Sequence, residues 1–374
     1  MKHETSKDTL VIGGGVIGMS VAYGLARAGQ RVTVLDEGDD VFRAARGNFG
    51  LVWVQGKGLH KLEYARWSQR SASLWSSFAA ELTERSGVDL ELSQIGGLRL
   101  ALSEAELTRH SEDLASIRDS IGGTYPFERL DEKEIRKLVP QVGPEVAGAM
   151  FSPMDGHVSP LKFLHALFKA FSSLGGLLQA GEGVEAIEYR GREFYVRTAK
   201  RNYVAGQVVL AAGLGNRVLA PQVGLSAPVH PERGQVIVTE RMRPFLRFPT
   251  IYVRQTGEGV VQLGDSKEDV GFNDSTTVNE LGRIARNAAR YFPLLNDVNI
   301  MRTWGALRVM TPDGYPVYEA SSECPGAYLI TCHSGITLAA NHAGDIADWI
   351  RGGSEPSGIQ TFKADRFDVQ TSSH

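Results

Sequence analysis

The stretch that decides the fold is Asp8-Thr9-Leu10-Val11-Ile12-Gly13-Gly14-Gly15-Val16-Ile17-Gly18, carried on to Asp36 by a helical segment and a second apolar run. Leu10, Val11 and Ile12 read as a strand, Gly13 to Gly18 spell a G-x-G-x-x-G turn, and Ile17, Val21, Leu25 and Ala28 recur at helical spacing. Gly29 stops that helix, Arg31-Val32-Thr33-Val34-Leu35 begins the next strand, and Asp36 closes it. Each glycine of the motif has a physical task. Gly13 permits the tight turn, Gly15 lets backbone approach a pyrophosphate, and Gly18 lets the helix sit close to the strand. The helix N-terminus then offers unpaired N–H groups to phosphates, and Asp36 stands ready to accept ribose hydroxyls. A glycine-rich turn also arises for steric reasons alone, but strand, helix and terminal acid together predict a dinucleotide site.

Outward from that stretch, 374 residues exceed one compact core and fit about two to three domains. Forty basic against 43 acidic residues leave a net charge of −3, which argues against a dedicated nucleic-acid or anionic-membrane surface. Two cysteines, Cys324 and Cys332, supply neither a disulfide framework nor ligands for an iron–sulfur cluster, so a cytoplasmic setting and no metal site are expected. Residues 1–9 are charged and polar rather than a secretory core, and no apolar run approaches the ~20 residues of a membrane helix.

After Asp36, glycine and asparagine among apolar residues predict a folded loop over 41–50, then a short strand at Leu51-Val52-Trp53-Val54 leading to Gln55-Gly56-Lys57-Gly58. Tyr64, Trp67, Leu74, Trp75, Phe78 and Leu82 share one face of a long helix, and helical spacing favours core packing over a stacking platform. Residues 88–148 change to short strands and charged, capped helices beginning at Ser103 and Asp131, the look of an insertion. Ser159-Pro160 starts an amphipathic helix that Gly175-Gly176 stops. Strands follow at 183–187 and 194–198, then Gln207 to Leu210 runs into the small residues Ala211-Ala212-Gly213, as in a buried parallel strand whose end meets a ligand. Residues 228–303 read as an antiparallel sheet that includes Thr250-Ile251-Tyr252-Val253-Arg254, and a last strand, Ala327 to Cys332, passes through His333-Ser334-Gly335 into a helix reaching Ile350. The order implies a nucleotide domain interrupted twice by a mainly antiparallel partner.

Four separated stretches, the glycine unit, Arg46-Gly47-Asn48-Phe49-Gly50, Val208 to Gly213, and Trp304 to Ile336, resemble the D-amino-acid oxidase-like family of FAD enzymes, which includes glycine oxidase, sarcosine oxidases and amine dehydrogenases. The run from Arg46 to Gly58 looks most like the flavin subunit of opine oxidases and of related D-hydroxyproline dehydrogenases. The resemblance implies an α/β fold: a Rossmann-like FAD-binding domain over 1–87, 145–220 and 320–374, interleaved with an α+β substrate domain over 88–144 and 221–319 built on a mainly antiparallel sheet. It places Gly13, Gly15, Val16, Ile17 and Gly18 at the FAD pyrophosphate and Asp36 and Glu37 at the adenosine ribose, where many members carry glutamate. Arg46, Gly47, Asn48, Gly50 and Leu51 match the loop lining the flavin, Val184 the residue whose backbone meets the adenine, and Ala211, Ala212 and Gly213 the small strand end. Ser334, Gly335, Ile336, Thr337 and Leu338 match the turn at the isoalloxazine pyrimidine edge, where a helix aims its positive end at the charge gathered on reduction.

Arg308 matches the family's substrate-carboxylate arginine, with a surface ion pair as its alternative; a guanidinium fork suits that task because it meets both oxygens in one plane. Tyr252 resembles a pocket tyrosine, with core packing as its alternative. His333 reads as structural and Cys332 as a small buried hydrophobe; no covalent-flavin cysteine lies near Arg308, so FAD is expected to bind non-covalently, with FMN at an inter-subunit interface as a further cofactor. Val309 replaces the family's usual proline, and Gln255 stands where a Pro-Arg turn often continues. The implied activity is oxidation of an amino-acid or opine C–N bond in a β-type subunit, beside a second nucleotide-binding α subunit and a small iron–sulfur subunit. A self-sufficient glycine or D-amino-acid oxidase using dioxygen, a non-catalytic electron-relay subunit and a nicotinamide dehydrogenase are the rival readings.

Overall fold

The computed structural model describes residues 8–38 and 44–372. The polar stretch read over residues 1–9 and the first part of the loop read over 41–50 therefore fall largely outside the described residues. Among those described, the central sheet has six strands in the order Val317–Ala320, Ala327–Thr331, Gln207–Leu210, Thr9–Ile12, Val32–Asp36, Leu177–Ala180. All neighbours are parallel except the first two. Alternation along the strands divides the core. Val11, Val34 and Val209 face one apolar layer with the helices Val16–Arg27, Leu62–Ser86 and Pro160–Ser173, while Leu10, Ile12, Leu35, Val208 and Leu210 face a second layer. That second layer is covered by the antiparallel strands Val184–Arg190, Glu193–Thr198 and Asn202–Ala205.

The aromatic stripe of Leu62–Ser86 packs inward, as helical spacing predicts: Trp67, Trp75, Phe78 and Leu82 are buried. The indoles also bond. Trp75 Nε1 donates to the carbonyls of Ile336 and Thr337, both at 3.1 Å, and Trp67 Nε1 donates to the Tyr318 hydroxyl at 3.3 Å. Long helix and C-terminal helix are thus fixed to each other.

A second body of sheet holds Val253–Gln255, Val260–Leu263, His230–Arg241 and Ile300–Met310 in antiparallel order. Beside it lie Gly97–Ala101, Gly148–Ser152 and Glu128–Asp131, linked through a Leu98–Thr250 bridge and a third apolar layer. Capping occurs where the sequence signals it: the Ser103 side chain accepts from Glu106 N–H, and Asp131 with Glu134 forms a capping box. Two expectations shift. Gly148–Ser152 pairs with both Gly97–Ala101 and Glu128–Asp131, so it sits on the antiparallel side of a boundary expected at 145. The strand expected over 250–254 begins only at Val253, because the Thr250 hydroxyl accepts from the N–H groups of Tyr252 (3.2 Å) and Val253 (2.8 Å) and curls the chain into a turn.

Candidate active site

The glycine turn behaves as three separate cases. A Cβ on Gly13, whose φ is +109°, would land on the Ala211 carbonyl, and one on Gly18 would land on the Gly13 carbonyl, so protein packing explains both. Gly15 differs: a Cβ there would meet nothing closer than Ala45 Cβ at 3.8 Å, and its φ of −73° suits any residue. The helix it caps, Val16–Arg27, has no side-chain cap and no acid in its first turn. Bare amides beside a position left open are what a pyrophosphate needs.

Asp36 accepts Gly14 N–H at 2.7 Å through one oxygen and Gly38 N–H at 2.9 Å through the other, which orients the carboxylate and leaves further lone pairs for hydroxyls. Glu37 lies against Gly183, next to Val184, and Glu182 N–H bonds the Asp36 carbonyl at 2.8 Å. Asp36, Glu37 and Val184 therefore form one corner at the end of the second parallel strand.

The loop and the C-terminal turn close on the other side of the glycines. Asn48 Oδ1 accepts Gly50 N–H at 2.7 Å, the Gly47 carbonyl accepts from Trp304 Nε1 at 3.2 Å, and Gly50 at φ +86° lies too close to the Val158 carbonyl for a side chain. Thr337 Oγ1 donates to the Leu51 carbonyl at 3.3 Å and accepts Trp53 N–H at 3.2 Å. A Cβ on Gly335 would lie 3.3 Å from Ile17 and 4.0 Å from Val16, so the start of the helix Gly335–Asn341 faces the start of the glycine helix. Leu338 spends its N–H on the Ser334 carbonyl at 3.0 Å, which leaves the amides of Gly335, Ile336 and Thr337 at the open end. Ala211 and Ala212 pack on Gly13, and Gly213 at φ +58° faces Val309. Valine in place of proline at 309 thus forms the wall over the small strand end. Arg46 is exposed on the loop that carries Gly47 and Asn48.

Arg308 precedes that wall residue on the strand Ile300–Met310. Its guanidinium pairs with Asp265, with Glu232 at 3.1 Å and with the Ser266 carbonyl at 2.7 Å, all through the two terminal nitrogens. Among the described residues nothing engages Nε, so the fork keeps one edge for a planar anion. The ion pair weighed against a substrate role exists, and it orients the arginine. Burial pushes the Asp265 carboxyl above its usual range while Arg308 opposes the shift. Tyr252 is 38% exposed and stacks on Tyr291 at 5.8 Å between centroids and 17° between planes, so the core alternative fails for its ring. With Gly264, Asp265, Arg283, Ile284 and Asn287 these tyrosines line a small cavity beside the Arg308 carboxylates. Gln255 accepts the N–H groups of Phe245 and Leu246 at 2.8 and 3.2 Å, which makes it a support of the hairpin.

Sequence reading passed over several residues that converge here. Lys57 Nζ donates to the Ser334 hydroxyl and lies 3.3 Å from the Tyr64 hydroxyl, itself 2.9 Å from Ser334. The turn carrying Lys57 is pinned from below: buried Asp155 accepts Val54 N–H at 2.5 Å and Gln55 Nε2 at 2.8 Å, and Tyr125 donates to the Val54 carbonyl at 2.5 Å. Burial raises the Asp155 carboxyl to about 7. His333 presents surface yet is crowded by protein, as on a concave wall, and desolvation with the charges of Lys57, Arg308 and Lys267 lowers it to about 3. Its imidazole is neutral and a weak base. Cys332 is buried, its thiol pushed up to about 12, and it is inert. The signal for these residues was contact between distant segments, which spacing does not carry.

The matched family model, described as FAD dependent oxidoreductase, spans residues 8–349. The B-type polypeptide of the opine oxidase from Agrobacterium tumefaciens (strain Ach5) is 42% identical over 364 residues, 97% of this chain and 98% of the relative. The protein of the same description from Rhizobium meliloti is also 42% identical over 364 residues. The crystal structure of glycine oxidase from Geobacillus kaustophilus superposes with a TM-score of 0.88 at 25% identity, covering 95% of this chain and 97% of that one. An open glycine cradle, a doubly covered parallel sheet and likeness along nearly the whole length agree that this chain belongs to the FAD dependent oxidoreductase family.

Proposed function

We propose that the protein oxidises the C–N bond of a carboxylate-bearing amine, an opine- or hydroxyproline-like secondary amino acid, as the catalytic β-type subunit of a hetero-oligomer. The observation that carries the reading is Arg308, set beside the small strand end at Gly213 and Val309 with its terminal nitrogens held by Asp265, Glu232 and Ser266 and its Nε edge clear. Such an edge fixes a carboxylate in one plane and so orients the adjoining α-carbon. Gly13, Gly15, Val16, Ile17 and Gly18 would hold the FAD pyrophosphate by backbone, Asp36, Glu37 and Val184 the adenosine, and Arg46, Gly47, Asn48, Gly50, Leu51, Ala211, Ala212, Gly213 and Ser334 to Leu338 the flavin end, without a covalent bond. Bound FAD supplies a hydride acceptor, and the oxidised amine leaves as an imine that water hydrolyses.

In this reading Tyr252 and Tyr291 close the substrate side, and burial keeps both phenols protonated and able to donate. Neutral His333 takes no proton, so the amine must arrive uncharged. The cofactor unit comprises 1–87, the stretch after Ser152 to 220, and 320–374, and the rest forms the substrate unit; the middle boundary follows the pairing of Gly148–Ser152. Similarity to proteins named as subunits supports partners of the α and iron–sulfur kinds. Anaerobic titration of the purified flavoprotein with opines, prolines, glycine and sarcosine tests the activity: bleaching by a secondary amino acid is the expected result, and an unaltered flavin band with every amine would end the proposal.

A further inference from the structure

Lys57 is half-buried, and among the described residues its ammonium meets two neutral hydroxyls, those of Ser334 and Tyr64, and no carboxylate at ion-pair distance. A cation taken partly out of water normally has an anionic partner. Its position is not slack, because the Val54 to Lys57 turn closes on itself through a 3.0 Å backbone bond and rests on Asp155 and Tyr125. Arg308 lies on the other side of His333, and the charges of both reach that ring. Lys267 reaches it as well, but its side chain is exposed and not held by hydroxyls.

We propose that Lys57 binds a second carboxylate of the substrate, so that the site selects secondary amines bearing a carboxylate on each side of the nitrogen. The inference rests on the reading of Arg308 as the first carboxylate's partner. With one anion on Arg308, the amine nitrogen lies between two fixed cations, and a substituent ending in carboxylate reaches Lys57. A substituent ending in methyl leaves that ammonium half-desolvated and unpaired. Discrimination then comes from an unsatisfied polar group, the effect that separates close analogues best.

The test uses the flavoprotein with two thioethers that cannot lose the amine hydride, thiodiacetate with two carboxylates and (methylthio)acetate with one. Each is titrated by perturbation of the flavin absorbance. The wild-type protein is expected to bind thiodiacetate more tightly. In Lys57→Met the ratio of dissociation constants, thiodiacetate over (methylthio)acetate, is expected to rise by roughly one to two decades, the worth of a charged hydrogen bond. Lys57→Arg should restore most of the preference, which a purely structural role of the lysine would not require. Flavin content and thermal midpoint show that each variant is folded. Equal weakening of both thioethers, no wild-type preference, or a ratio that moves in Lys267→Met and not in Lys57→Met would overturn the assignment. Because neither thioether needs to be oxidised, failure of amine oxidation would show separately, as absence of bleaching by amines.

Discussion

At the scale of single residues, the three motif glycines separate by what a side chain would strike. Gly15→Val should fold with a loss of about 1 kcal/mol for a poorer N-cap, since space and φ both permit the side chain, yet it should purify without flavin. The flavin-to-protein ratio checks this, and normal occupancy would remove the pyrophosphate from Gly15. Gly18→Ala is expected instead to lower the thermal midpoint, because its methyl would collide with the Gly13 carbonyl. Arg308→Lys should weaken amino-acid binding by about one to two decades, as one ammonium cannot hold Asp265 and Glu232 and also present a fork. Unchanged steady-state constants would take Arg308 out of the site. Residues whose task is local were legible from the sequence: the glycines, Asp36, and the caps at Ser103 and Asp131. Lys57, Asp155, Asp265 and Glu232 were not, since each acquires meaning from a partner on another segment.

Among elements, the long helix Leu62–Ser86 was legible because its aromatics keep helical spacing over many turns. Spacing could not show that Trp75 also ties this helix to the turn at Ile336 and Thr337. Trp75→Phe keeps most of the ring's burial and removes the shared indole donor, so a destabilisation of about 0.5–1.5 kcal/mol is expected, together with weaker flavin retention. Urea titration and flavin dissociation measure the two effects; lost stability with unaltered retention would show that the helix tie does not support the cofactor turn. The strand over 250–254 misled because its residues alternate correctly for a sheet. Thr250 overrides the pattern by bonding its own backbone, which frees Tyr252 to turn toward the cavity.

For the molecule as a whole, buried titratable groups set the response to acid. His157 and His342 are buried and held down to about 3, chiefly by desolvation, so the unfolded chain takes protons that the folded one refuses. Their contribution is full above about 6.5 and is lost as pH falls toward 3. Asp155, raised to about 7, acts with the opposite sign: its contribution is present below the ordinary carboxylate range and lost as pH rises through 7. With two imidazoles against one carboxyl, the thermal midpoint should fall between pH 6.5 and pH 4. His342→Gln should flatten that fall and Asp155→Asn should steepen it; curves parallel to wild type would contradict both signs. Assembly is the other property of the whole. The isolated chain is expected to turn over slowly with dioxygen and faster with an artificial dye or with its partner subunits, and rapid peroxide production by the chain alone would favour the self-sufficient oxidase.

The central sheet also sets a timetable for synthesis. Thr9–Ile12 has one neighbour at Val32–Asp36, available early, and the other at Gln207–Leu210, with Thr9 and Gln207 separated by 198 positions. That neighbour is in turn flanked by Ala327–Thr331, near the end of the chain. The glycine turn emerges first from the ribosome and must wait, half-walled, until the last stretch of the protein arrives to close it. Cofactor capture therefore belongs after translation, and a nascent chain stalled before Ala327 should carry no flavin however well its first strands have formed.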